Sequence, residues 1–331
     1  MITIPRLWYN LIVLGGKVGV NIFILITGYF LITNCSKILD IRKIIKLWGQ
    51  IIFYSLSIFA ICSIFKIHDY EIITAVKSLF PITFSSWWFA STYFVLYIIH
   101  PFLNILLNSL SKKTYQIFLT LLIIMWSVIP TFTTSDFQSN PLWWFVTLYA
   151  LAGYVRLYGF NHTFTTKRYF IMCGIFSLLT YLSSIVFTLL GTQWNIFSTY
   201  ATYFYGMEKI PVLLISLTLF LAFTNLQMNY TNSINTLATA TFGVYLIHEN
   251  IILRPILWIN IFQNYQYQNS LLLIPYSIIV VLLVYAICTV IDLIRQKFFE
   301  KPFMVIVDKY ADNLINALAK IYDICKKMMF G

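Results

Sequence analysis

The chain has 331 residues, of which 60% are hydrophobic and 10% charged, with a mean hydropathy of +0.81 and a net charge of +11. Soluble domains carry roughly a quarter charged residues, so an ordinary cytosolic fold is excluded and lipid is the solvent for most of the chain. The Lys and Arg residues are spread through loops rather than gathered on one face. The positive balance therefore points to an anionic leaflet and not to nucleic acid. Cys35, Cys62, Cys173, Cys288 and Cys325 show no paired spacing, which predicts free thiols, no disulfide framework and no metal site. The first ten residues show no cleavable leader pattern.

A spanning helix needs about 20 apolar residues. In chain order, nine segments qualify: residues 9–32, 47–65, 87–107, 117–134, 142–158, 169–190, 210–226, 242–259 and 271–294. The fifth and seventh are short. The loop after the first segment holds Lys37, Arg42, Lys43 and Lys46; two loops on come Lys112 and Lys113, then Arg156, Lys167 and Arg168. The tail holds Arg295, Lys297, Lys301, Lys309, Lys320, Lys326 and Lys327. Sixteen of the 22 basic residues thus fall on one side, and the positive-inside rule makes that side cytoplasmic. The C-terminus is then cytoplasmic and the N-terminus outside, in a multi-pass protein of the cell membrane. An odd number of spans with no N-terminal feature to explain it suggests a further helix upstream.

The fold class is an all-α, polytopic transmembrane helix bundle. Its membrane domain is 1–298, followed by a cytoplasmic tail over 299–331. In that tail Phe303, Ile306, Tyr310, Leu314, Leu318, Ile321 and Cys325 recur every three or four residues. This predicts an amphipathic helix lying on the leaflet, separated from the last span by Pro302.

Ionisable groups within spans are costly and are functional candidates. His248 and Glu249 fall in the first two turns of the eighth segment, Arg254 one to two turns deeper, Lys17 in the first and His100 in the third. His248 is the candidate general base, since imidazole titrates near neutrality; a neutral histidine bonded to a neighbouring helix is the alternative. Glu249 is an acceptor contact or an ion-pair partner. Arg42 and Lys46 are spaced i,i+4 and share one helical face, with Lys43 adjacent. They suit either an anionic cofactor's phosphates or topogenic retention. Trp87, Trp88, Phe89, Tyr93 and Tyr97 open the third segment. They read as an aromatic belt or as a platform for sugar rings, with Trp88, Tyr93 and Tyr97 as candidate contacts.

Four stretches resemble acyltransferase family 3, the integral-membrane acyltransferases. GVNIFILITGYFLI (19–32) is similar to the family's Gly-Val-x-x-Phe helix. IRKIIKLW (41–48) resembles its basic Arg-x-x-Arg element, here Arg42 and Lys46. WWFASTYFVLYIIHPFLN (87–104) resembles its Trp/Tyr/Pro helix, and FGVYLIH (242–248) its late Gly-x-Tyr-Leu-x-His segment. The four occur in the family's order. The resemblance implies about ten helices and transfer of an acetyl group from acetyl-CoA to a hydroxyl of a cell-surface polysaccharide or lipid-linked saccharide. It implies no tightly bound cofactor, a saccharide or glycolipid acceptor, and membrane lipid as the surroundings. Arg42, Lys43 and Lys46 would hold the donor. The family's first helix carries the histidine taken as base, and no residue here matches it, so an inactive, truncated member is an alternative expectation. A glycan or lipid transporter is another, although the paired broken helices typical of transporters are not evident.

Overall fold

The computed structural model describes residues 3–34, 40–67, 71–135, 137–160, 164–311 and 313. Residues 314–331, with most of the expected amphipathic tail, lie outside that set, as do Lys37, Cys35 and Cys325. The described residues form helices and loops with no strand. In chain order the helices are α1 (Ile4–Leu31), α2 (Ile41–Ile64), α3 (Ile72–Leu79), α4 (Trp88–Ser109), α5 (Lys112–Ile123), α6 (Ile129–Phe132), α7 (Pro141–Tyr158), α8 (Thr166–Leu190), α9 (Asn195–Thr199), α10 (Ile210–Thr224), α11 (Asn232–His248), α12 (Leu253–Pro255) and α13 (Leu273–Arg295). Seven helical stretches among the described residues are long and apolar enough to cross a membrane, and a bent pair makes eight. The protein is an all-α polytopic bundle.

Capping follows the sequence. Thr3, Asp40, Ser111, Asn140 and Thr165 each accept a hydrogen bond from a backbone N–H three residues on, at the starts of α1, α2, α5, α7 and α8. Pro5 and Pro141 sit in first turns, where no N–H is needed. Three π turns lie beside prolines. Ile124–Val128 precedes Pro130, Ile256–Ile261 follows Pro255, and Gln296–Glu300 precedes Pro302. A widened turn re-registers the hydrogen-bond ladder where proline withholds its N–H. Pro302 therefore does not end the last span. The helix continues from Leu273 to Ala311, 39 residues in all.

The chain packs as two compact units. Unit 1 comprises residues 1–37, 99–230 and 264–277. Its centre is α7, with Trp144, Phe145, Leu148, Tyr149, Ala150 and Ala152 completely buried. This 18-residue helix occupies the expected fifth segment. It is apolar all round because α1, α5 and neighbouring turns enclose it, not because lipid does. Gly28 of α1 meets the α7 backbone: a Cβ there would stand 2.8 Å from the Tyr149 carbonyl oxygen. Only glycine permits that approach. Buried amides tie the layers. Asn21 donates to the Met207 carbonyl (2.8 Å) and accepts from the Trp144 indole (2.9 Å). Asn104 donates to the Leu31 carbonyl at the end of α1 (2.8 Å) and accepts from the Tyr149 hydroxyl (2.6 Å).

Unit 2 comprises residues 38–98, 231–263 and 278–331. It contains α2, α3, the first half of α4, α11, α12 and most of α13. The expected eighth span is not one helix here. α11 stops at His248, and the chain turns by 88° into Leu253–Ile261. Buried Asn250 makes the corner, its side-chain oxygen accepting from the backbone N–H of Ile252 (2.9 Å) and Leu253 (3.2 Å). Pro255 then bars a continuous ladder through the turn.

Candidate functional site

The 88° corner creates the site. Because α11 ends at His248, the side chains at 248, 249 and 254 converge around a break instead of being spaced along one helix. His248 and Glu249 therefore lie at the C-terminal end of a helix and not in the first turns of one. A cleft of about 640 Å³ opens there, lined by Trp87, Trp88, Tyr245, Glu249, Arg254 and Trp258 among others. The Glu249 carboxylate is 3.5 Å from the Arg254 guanidinium and 3.9 Å from His248 Nε2. His248 stands behind Glu249 and does not line the cleft wall. Its Nδ1 is 2.7 Å from the Val244 carbonyl oxygen. A carbonyl can only accept, so Nδ1 donates to it, and Nε2 is the ring nitrogen on the side of Glu249.

Trp87 is 3% exposed, and its indole N–H has no hydrogen-bond partner. An orphan donor at this depth costs about 1–3 kcal/mol if it stays unsatisfied, and Trp87 lines the cleft. The wall therefore offers a carboxylate, a guanidinium and several aromatic faces, with the unsatisfied Trp87 donor buried beneath it. Trp88 and Glu249, both expected acceptor contacts, line this cleft. Tyr93 and Tyr97 do not. They continue an aromatic ladder along α4, with Phe89 stacked on Tyr93 (6.1 Å), Tyr93 against Tyr97 (6.2 Å) and Phe242 of α11 against Tyr93 (6.0 Å).

The basic residues occupy the start of α2. Arg42 and Lys46 share a face, as their i,i+4 spacing dictates, and both meet carboxylates from the long last helix: Arg42 is 3.5 Å from Asp308 and Lys46 is 2.8 Å from Glu300. Lys43 turns the other way, to Asp40 at 3.2 Å. An arriving phosphate would have to displace those carboxylates. A cavity of about 270 Å³ beside Lys46 is lined by Trp48, Phe53, Arg295 and Phe299, and it shares no residue with the Trp87 cleft.

Beside the Lys46 cavity lies a buried charged cluster that no sequence motif announces. Asp292 is completely buried. It accepts from the Tyr54 hydroxyl (2.7 Å), Arg295 Nε (2.7 Å), Gln296 (2.7 Å) and Gln50 (3.4 Å). Arg295, 4% exposed, also donates to Glu300 (2.7 Å). Arg295 is thus an internal ion-pair partner and not a leaflet anchor. Gly243 lies directly over Asp292, and a Cβ there would collide with the carboxylate. α2, α11 and α13 are clamped through this one side chain. The available signal is an Asp three residues before an Arg in the final apolar run; counting Arg295 with the basic tail hides it.

A family model described as an acyltransferase domain, that of acyltransferase family 3, matches residues 2–293. The chain belongs to that family. No curated protein and no solved structure matches it. This acyltransferase carries all four of the family-like stretches within the matched range. Gly28, in the first of them, makes the α1–α7 approach. Gly243, in the last, covers Asp292, and His248 closes α11. Cys173 and Cys288 are free thiols, and no group of His, Cys, Asp or Glu among the described residues is arranged to hold a metal ion.

Proposed function

We propose that this membrane acyltransferase moves an acetyl group from acetyl-CoA to a hydroxyl of a cell-surface polysaccharide or lipid-linked saccharide. The observation that supports this reading is the Trp87 cleft, where aromatic faces share a wall with the Glu249–Arg254 pair. A sugar presents apolar C–H faces to aromatic rings and hydroxyls to such polar groups. In the proposed step the acceptor hydroxyl gives its proton to His248 Nε2 by way of the Glu249 carboxylate, which lines the cleft 3.9 Å from that nitrogen, while its oxygen bonds to the acetyl carbonyl carbon. The C–S bond of the thioester breaks, and the departing thiolate is protonated in turn. The Val244 carbonyl fixes the ring's tautomer, and Glu249 offers a negative neighbour for the charge that develops on it. Arg254 steadies the oxyanion. Arg42, Lys43 and Lys46 hold the coenzyme A phosphates by exchanging their carboxylate partners for phosphate.

The loop charge bias supports an orientation with the Lys46 end of α2 at the cytoplasm and the Trp87 cleft at the outer face. This orientation suits a cytoplasmic donor and an exported acceptor. The test is transfer of radiolabelled acetyl from acetyl-CoA to a lipid-linked saccharide in proteoliposomes. Label on the saccharide, lost in His248→Ala, supports the reading. Full activity in His248→Ala removes the base assignment, and turnover of donor with no label on any saccharide removes the acceptor class.

A further inference from the structure

Unit 1 carries a groove of about 1010 Å³ that the acetyl-transfer reading does not use. Its walls come from α5 and the following π turn, from α7 and from α10. Leu119, Ile123, Val128, Leu213, Leu214 and Leu217 make it apolar along most of its length. The π turn at Ile124–Val128, ahead of Pro130, contributes Val128 to this wall. From Lys112 to Val128 the lining spans roughly 24 Å at the α-helical rise. That exceeds half of a hydrocarbon core of about 30 Å, so one leaflet's full chain length fits along it.

One end of the groove is polar, and its character is specific. Lys112 Nζ sits 5.8 Å over the Tyr158 ring. Gln116 donates to the Tyr154 hydroxyl at 2.7 Å, so that hydroxyl accepts from Gln116 and keeps its own proton to donate. Lys112, Gln116, Tyr154 and Tyr158 all line the groove, and among the described residues no carboxylate does. The apolar length thus terminates in a cation and an O–H donor with nothing anionic among them. We infer that this groove is a binding site for a phosphate-bearing membrane lipid, its hydrocarbon chain along the leucines and its phosphate at Lys112 and Tyr154. Charge complementarity selects an anionic headgroup over a zwitterionic one. The inference goes beyond the acetyl-transfer reading and does not depend on it.

The test is lipid retention by the purified full-length chain, measured by native mass spectrometry after equilibration with phosphatidylglycerol or phosphatidylcholine of equal chain length. Phosphatidylglycerol should be retained in preference. Lys112→Gln should lower that preference about fivefold, the worth of one basic residue at a lipid surface, while Lys113→Gln, which does not line the groove, leaves it in place. Leu214→Trp, filling the apolar part, should reduce retention of both lipids. Equal retention of the two lipids by the parent chain, absence of bound lipid, or an unchanged preference in Lys112→Gln would each overturn the assignment. Lys112→Gln changes an exposed side chain, so the result stands even if Leu214→Trp fails to fold.

Discussion

The two units of this acyltransferase solve the same problem, polar groups inside a membrane protein, in opposite ways. Unit 1 buries amides and hydroxyls. Asn10 bonds Ser184 (2.9 Å), Asn21 bonds Trp144 and Met207, and Asn104 bonds Tyr149 and Leu31. Its buried Lys209 is the exception, a charge held on the Pro130 carbonyl and over the Tyr203 ring with Glu208 at 3.7 Å. Unit 2 buries a linked set of charges, Asp292 with Arg295 and Glu300, and carries a second, partly exposed series, His248–Glu249–Arg254, at the corner. Neutral ties are cheap to desolvate and hold helices in register. Buried charges are costly unless fully paired, so the unit that keeps a connected cluster of them is where chemistry is to be sought.

That contrast can be broken by measurement. The largest effect is expected at Asp292. Asp292→Ala leaves Arg295 with Glu300 alone and strands the Tyr54 hydroxyl, and removing one partner of a buried pair costs about 3–5 kcal/mol. Thermal unfolding in detergent should show a large loss of stability; a change no greater than at Asn21 would end the distinction between the units. Next is His248→Ala, which should lower acetyl transfer by about 100-fold or more, the usual contribution of a general base, with the unfolding midpoint little changed. Activity within a few-fold of the parent would leave the corner a structural feature. Asn21→Ala comes third. It orphans the Trp144 N–H and the Met207 carbonyl, so stability should fall by about 1–3 kcal/mol with KM for both substrates unaltered. Smallest is Arg42→Ala. Its pair with Asp308 is solvent-exposed and worth about 1 kcal/mol or less, so stability should hold while KM for acetyl-CoA rises several-fold. Unchanged donor KM there and in Lys46→Ala would move the donor site elsewhere.

Much of this was legible in the sequence because lipid imposes a strict rule. Backbone groups must be satisfied within each segment, so every long apolar run had to be helical, and α1, α2, α4, α5, α8, α10 and α13 follow. The i,i+4 spacing put Arg42 and Lys46 on one face. The positions that went otherwise depend on neighbours distant in the chain. Residues 242–259 satisfy the hydropathy of a span, yet Asn250 and Pro255 fold them into a corner. Pro302 reads as a helix stop, yet a π turn carries the helix past it. Asp292 reads as one acid in a greasy run, and its meaning comes from Tyr54, 238 positions away along the chain.

Composition and periodicity by themselves determined that this protein is a helical membrane bundle, because the free energy of placing apolar side chains and unpaired amides in lipid is local and additive. Tertiary structure alone decided that Trp87 shares a cleft with Glu249 and Arg254, that Lys46 reaches Glu300, and that Gly243 covers Asp292. Those are pairings between segments, set by the angle of a single turn at His248 and by how closely two helices approach, and neither quantity is written in the hydropathy of any one segment.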